Sequence, residues 1–157
     1  MAEFLPYCAQ FSPLSQEAQA EMLHYATLRT FKKGEYLLRK THICEYLFFI
    51  NEGLLKLYFG EGSKQFVTRF FAENVLFSVF DSFTSQTPSR FSLIALEDTI
   101  VTVISYEELE ELCKKHHCIE TLYRKLLSLA TSKMTLRICE IANAAERDQQ
   151  FVQAHES

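Results

Sequence analysis

The sequence has no tryptophan, and only four glycines and three prolines among its 157 residues. With 14 phenylalanines and seven tyrosines, its aromatic core is expected to be chiefly phenylalanine, a ring that can be buried without a hydrogen-bond partner. No apolar run approaches the roughly 18 residues of a membrane-spanning helix, and 48% hydrophobic with 23% charged residues is too apolar for a disordered chain. One well-packed soluble core is the expectation. Positive charge is also short: 16 Lys and Arg against 20 Asp and Glu give a net charge of −4, which argues against a surface that neutralises phosphates.

The five cysteines, Cys8, Cys44, Cys113, Cys118 and Cys139, are odd in number and contain no CxxC pair. The start Met-Ala-Glu-Phe-Leu-Pro has neither the basic nor the apolar region of a secretory leader. Free thiols in a reducing cytoplasm are expected. No internal repeat or low-complexity segment is present.

Apolar residues three to four apart between Ser15 and Thr27 predict a short amphipathic helix with Ser15 as its N-cap. From Arg29 the pattern changes to brief β-branched and aromatic runs: Glu35 to Arg39, Tyr46 to Asn51, Gly53 to Phe59, Lys64 to Phe71, Arg90 to Ala95 and Thr99 to Ser105. Turn signals separate them, among them Asn51-Glu52-Gly53 and Gly60-Glu61-Gly62. So many short strands in sequence predict a sandwich or closed barrel. Ser105, with Glu107 and Glu108 just after it, caps a helix from Tyr106 to Lys115.

A longer helix is predicted from about Cys118 to about Ala145, free of Gly and Pro. One apolar line follows Leu122, Leu126, Leu129 and Leu136, interrupted by Lys133, and a second follows Ile119, Tyr123, Leu127, Ala130, Met134, Ile138 and Ile141. Two lines exceed the single stripe a helix needs to sit on its own domain. The first line, Leu122, Leu126, Leu129, Lys133 and Leu136, is therefore read as a dimer interface. The alternative is a helix buried within a monomer.

Three local words, in this order, resemble the cyclic-nucleotide-binding domain of the Crp/Fnr (catabolite activator) superfamily of regulators. They are Phe31-Lys32-Lys33-Gly34-Glu35-Tyr36-Leu37, then Glu45-Tyr46-Leu47-Phe48-Phe49-Ile50-Asn51-Glu52-Gly53-Leu54-Leu55-Lys56, then Val103-Ile104-Ser105-Tyr106 followed by Glu107-Glu108-Leu109. The resemblance spans roughly residues 14–145. It implies an α+β fold, a double-stranded β-helix or jelly-roll barrel with a short N-terminal helix and a long C-terminal dimerisation helix. On that reading 1–117 is the barrel domain with its flanking helices, 118–145 the dimerisation helix, and 146–157 the start of a linker towards a DNA-binding domain.

The resemblance also locates a phosphate-binding cassette, and there the match fails. Nucleotide-binding members open a short helix with Gly-Glu-(Leu/Ile), whose Glu takes the ribose hydroxyl, and follow it with Arg-(Ser/Thr)-Ala, whose Arg pairs with the cyclic phosphate. Those places fall on Ser78, Val79 and Phe80, and on Ser89, Arg90 and Phe91. Val79 cannot accept a hydrogen bond from a sugar hydroxyl. Arg90 stands one residue late, which in a strand points a side chain to the opposite face. Cyclic AMP is not expected to bind, while a pocket for another small effector and a barrel filled by its own side chains both stay open. Thr131 and Ser132 lie where the family's long helix faces the pocket and are further ligand-contact candidates.

The expected function is the sensory and dimerisation module of a Crp/Fnr-type transcriptional regulator, a homodimer that reaches DNA only through a C-terminal domain absent from this chain. The alternative is a stand-alone protein-interaction module on the same fold. Cys113-Lys114-Lys115-His116-His117-Cys118 is the one cluster with metal-ligand chemistry, since Cys113 and His117 could share a helix face. Two ligands do not make a closed site, so no metal and no cofactor are expected. No nucleophile elbow, P-loop or HExxH points to an enzyme.

Overall fold

The computed structural model describes residues 3–156, with side chains to residue 154. Residues 1–126 form one compact unit and residues 127–157 a second.

The first unit opens with helix α1 (Phe4–Ala9) and helix α2 (Gln16–Tyr25). Pro6 falls in the first turn of α1, where its missing N–H costs the helix no bond. Ser15 caps α2 as expected, its hydroxyl accepting from the Ala18 N–H at 3.1 Å. Eight strands follow: β1 (Thr27–Phe31), β2 (Tyr36–Leu38), β3 (Tyr46–Glu52), β4 (Leu55–Phe59), β5 (Phe66–Phe71), β6 (Leu76–Phe77), β7 (Ser92–Ala95) and β8 (Thr99–Ser105). Helix α3 (Phe80–Ser85) lies between β6 and β7. Helices α4 (Tyr106–Lys115) and α5 (His117–Glu156) close the sequence.

The strands form two antiparallel four-stranded sheets, ordered β1-β8-β3-β6 and β2-β7-β4-β5. This is the expected jelly-roll. All six predicted runs contain a strand. The sequence patterning carries no signal for β1, the two-residue β6 or α1, and α2 ends at Tyr25 while Thr27 begins β1; the short helix that the resemblance opens at Ser78 to Phe80 is α3. The first resemblance word spans the end of one strand and the start of another in the opposite sheet rather than one strand. β1 ends at Phe31, and Gly34, with φ of 91°, turns the chain into β2.

Packing explains the strand composition. Phe48 and Phe77 stack with centroids 5.5 Å apart, and Phe77 stacks on Phe71 at 3.9 Å, so a column of rings crosses from β3 and β6 of one sheet to β5 of the other. The next residue along, Phe49, meets Phe4 and Tyr7 of α1 at 5.4 and 5.7 Å. Leu47 to Ile50 are all buried, because α1 packs on β3 at Phe49 while the ring column takes Phe48. Gly53, with φ of 123°, joins β3 to β4; a Cβ there would run into the side chain and backbone of Thr99.

Ser105 caps α4, accepting from the Glu108 N–H at 3.2 Å. Helix α5 begins at His117, directly after the His116 C-cap of α4. That break puts Cys113 and His117 on different helices, so they do not share a face. His116 instead meets Glu21 of α2, and Lys115 donates to the same carboxylate at 2.9 Å. Ile119, Leu122 and Leu126 are buried in the core of the first unit. The reading of Leu122 and Leu126 as dimer contacts is thereby corrected: both are covered by their own domain. Helix α5 also runs on to Glu156 rather than stopping near Ala145. In the second unit Leu129, Met134, Leu136, Ile138 and Ile141 are exposed.

Two expectations follow. Phe77→Ala opens a hole in the ring column and should cost about 3–5 kcal/mol of unfolding free energy, read by urea denaturation; a loss under about 1 kcal/mol would mean that the column is not a core element. Glu21 is held below the usual carboxylate range by hydrogen bonds from Lys115 and then His116. Its stabilising contribution is present above its unfolded-state pKa and is lost as pH falls through the lower folded value. The melting-temperature gap between the parent chain and Glu21→Gln should thus be widest near about pH 6 and shrink towards about pH 3, whereas a constant gap would contradict the tie.

Candidate functional site

The candidate site is built where the β2–β3 connection meets the segment running from β6 through α3 to β7. Two backbone bonds join them, Thr41 N–H to Ser89 O at 2.7 Å and Ser89 N–H to His42 O at 2.8 Å, with an antiparallel bridge between Ile43 and Pro88. Side chains complete the clamp. The Ser82 hydroxyl accepts from the Cys44 N–H at 2.8 Å and donates to Thr87 O at 2.5 Å. Gln86, in the left-handed conformation at the α3 C-cap, donates its amide to Cys44 O at 3.0 Å and Phe83 O at 2.8 Å. The Ser78 hydroxyl donates to Tyr46 O at 2.7 Å and lies 3.2 Å from the Cys44 sulfur. Cys44 is buried, and that burial pushes its thiol above its ordinary pKa, which disfavours the nucleophilic thiolate.

The six cassette positions differ in burial and in what they touch. Ser78 and Val79 are buried, with Val79 at the N-cap of α3, and Phe80 is half-buried as its first residue. Ser89 is buried, its hydroxyl bonded to Phe91. Arg90 is exposed and sits in a bend before β7, so the argument that it occupies a strand with its side chain reversed does not hold. Phe91 turns its ring edge-on to Phe59 at 5.8 Å. Thr131 and Ser132 are exposed on α5 in the second unit, and the Thr131 hydroxyl donates to Leu127 O at 2.9 Å.

Beside this clamp lies a cleft of about 280 Å³ whose lining includes Tyr36, Arg39, His42, Cys44, Tyr46 and Phe48. The Tyr36 hydroxyl pairs with that of Tyr58 at 2.8 Å; burial, with Tyr36 adding to it, raises the Tyr58 pKa. The Arg39 guanidinium lies 4.2 Å over the Tyr36 ring. The Tyr46 hydroxyl accepts from Arg29 at 2.7 Å. Sequence reading did not single out Arg39, His42 or Tyr36. The available signal was the polar run Arg39-Lys40-Thr41-His42 between two apolar strand segments. Among the described residues no three His, Cys, Asp or Glu side chains are placed to hold a metal ion, and no helix is long and apolar enough to cross a membrane.

No curated protein matches the chain by sequence. Solved structures show the fold. A cyclic nucleotide-binding domain from Methylobacillus flagellatus is similar with a TM-score of 0.76 and 17% identity, over 91% of this chain and 83% of that one. The sensor domain of the transcriptional regulator DNR from Pseudomonas aeruginosa gives 0.66 and 18%, over 85% and 87%. The catabolite activator protein of Thermus thermophilus gives 0.70 and 18%, over 84% of this chain and 62% of that protein's length. The cyclic nucleotide-binding domain family matches residues 28–116, which takes in every strand but the start of β1 together with α3 and α4. The chain belongs to the cyclic nucleotide-binding domain family.

Proposed function

We propose that the chain is the sensory and dimerisation module of a Crp/Fnr-type transcriptional regulator whose effector is not cyclic AMP. The observation that carries the second half is the chemistry at the start of α3. Where the family resemblance puts the carboxylate that takes the ribose hydroxyl, this chain has Val79, a buried hydrocarbon. Losing a charge-assisted bond of that kind removes about 1.5–3 kcal/mol of binding. Where it puts the phosphate-binding arginine, the chain has Ser89, a buried hydroxyl already engaged by Phe91. The neighbouring Arg90 is exposed, and the column of Phe48, Phe77 and Phe71 takes up interior volume next to Ser78.

Support for dimerisation comes from the second unit. Leu129 is 37% exposed, Leu136 61%, Met134 46%, Ile138 59% and Ile141 47%, a density of apolar side chains that single exposed leucines do not explain. A second copy of the same helix, with Leu129, Lys133 and Leu136 in the contact, covers the first of the two apolar lines. In this reading residues 1–126 sense and the remainder of α5 pairs. DNA contact belongs to a separate domain, consistent with the net charge of −4.

Isothermal calorimetry with cyclic AMP should show no saturable heat up to about 1 mM ligand, and a dissociation constant near 1 µM would overturn the cassette reading. Sedimentation should show a dimer at tens of micromolar that shifts towards monomer when Leu129 and Leu136 are both replaced by alanine, since buried leucines contribute about 2–5 kcal/mol each. A parent chain that sediments as a monomer would remove the pairing.

A further inference from the structure

The cleft beside the clamp has its polar groups divided into two sets. Tyr36 is bonded to Tyr58, Tyr46 accepts from Arg29, and Cys44 lies against Ser78, so each of these walls already has a polar partner within the protein. Arg39, His42 and Glu45 line the same cleft. Each is exposed, and none of their side chains is hydrogen-bonded or paired with an opposite charge among the described residues; by contrast the adjacent Lys40 is paired with Glu61.

We propose that this cleft binds a small organic acid, with its carboxylate on Arg39 and its apolar body against the wall of Ile43, Tyr46 and Phe48. Arg39 lies over the Tyr36 ring at 4.2 Å. A guanidinium stacked on a ring keeps the N–H edge of its planar fork free, and that edge matches a carboxylate in two parallel bonds. The stack also fixes the orientation of the fork before a ligand arrives, which lowers the ordering cost of binding.

Backbone strain marks the same place. Thr41, two residues from Arg39, has φ of 73°, a left-handed conformation that a β-branched residue adopts only under constraint. It is held there by its N–H bond to Ser89 O at 2.7 Å. The strained residue sets the lip that carries His42 and Ile43.

Size and charge narrow the ligand class. About 280 Å³ is just under the range of roughly 300–1,000 Å³ that holds drug-sized ligands, which suits a body of about one ring. Glu45 is the acid among the lining groups, and it opposes an anion while Arg39 attracts it. The site therefore favours a single carboxylate carried on an apolar body over a multiply charged ion. This inference deepens the reading of residues 1–126 as a sensor and rests on it only for its purpose.

The test is an amide-resolved NMR titration of the full chain with benzoate, with inorganic phosphate and benzyl alcohol as the charge-only and body-only probes. Saturable shifts are expected at residues 36–48 with benzoate, and binding at least about tenfold weaker with either other probe. Arg39→Gln should weaken benzoate at least about tenfold with the rest of the spectrum unchanged, since the side chain is exposed. Glu45→Gln should tighten it. No saturable shift up to about 50 mM benzoate, equal affinity in Arg39→Gln, or phosphate binding as well as benzoate would each overturn the proposal. Calorimetry with cyclic AMP and sedimentation read different groups, so the sensor reading and the acid site fail separately.

Discussion

The two sheets are held at their working distance by the ring column. Phe77 touches Phe48 of its own sheet and Phe71 of the opposite one, and aromatic pairs of this kind add about 0.5–1.5 kcal/mol each beyond the area they bury. The column depends on rings that carry no polar atom. A tyrosine or tryptophan in the place of Phe77 would need a partner for its O–H or N–H between stacked rings that offer none. The same constraint decides the chemistry next to it. Ser78 follows Phe77 directly, and its hydroxyl, turned to Tyr46 O and Cys44, is committed to the protein.

The rim is organised by a helix too short to exist by itself. Six residues make less than two turns, well below the length at which an isolated helix is even marginal, and α3 has no side-chain cap at its N-terminus. Its order comes from outside: Ser82 and Gln86 bond to both backbone groups of Cys44, while Phe83 is fully buried. The β2–β3 connection and α3 thus define each other. The left-handed Thr41 and Gln86 lie at the two places where these segments change direction.

Legibility in the sequence followed the physics of each element. β3, β4 and β8 were readable because their apolar content is dense and their ends carry turn residues. β1 was not, since Thr27 to Thr30 are all exposed and carry no buried alternation to read. β6 has only two residues, too few for any period. The serine caps were readable because capping is local. For α5, periodicity found the apolar residues but could not say which of two surfaces each would meet: Leu122 and Leu126 belong to the core of their own unit, although their spacing continues into Leu129 and Leu136. The cassette positions could be placed from the family resemblance. Arg39 and His42 could not, because the cleft they line exists only after Thr41 and Ser89 pair across nearly fifty residues of chain.

The clamp and the helices meet at one ring. Phe83 of α3 stands edge-on to Tyr106 of α4 at 5.6 Å and to Tyr123 of α5 at 6.4 Å, and the Tyr106 N–H donates to Glu45 O at 2.9 Å. The residue that follows Cys44 in the clamp is therefore also the acceptor for the first residue of α4. Burial raises the Tyr123 hydroxyl well above its ordinary pKa, so that side chain stays neutral and packs as a large amphipathic ring. Packed interiors do not deform smoothly, and a displacement of the 41–46 connection has to be taken up at Phe83 and Tyr106 or not occur. Within residues 1–126 the segment that lines the cleft is thus tied through α3 and Phe83 to Tyr106 of α4 and Tyr123 of α5.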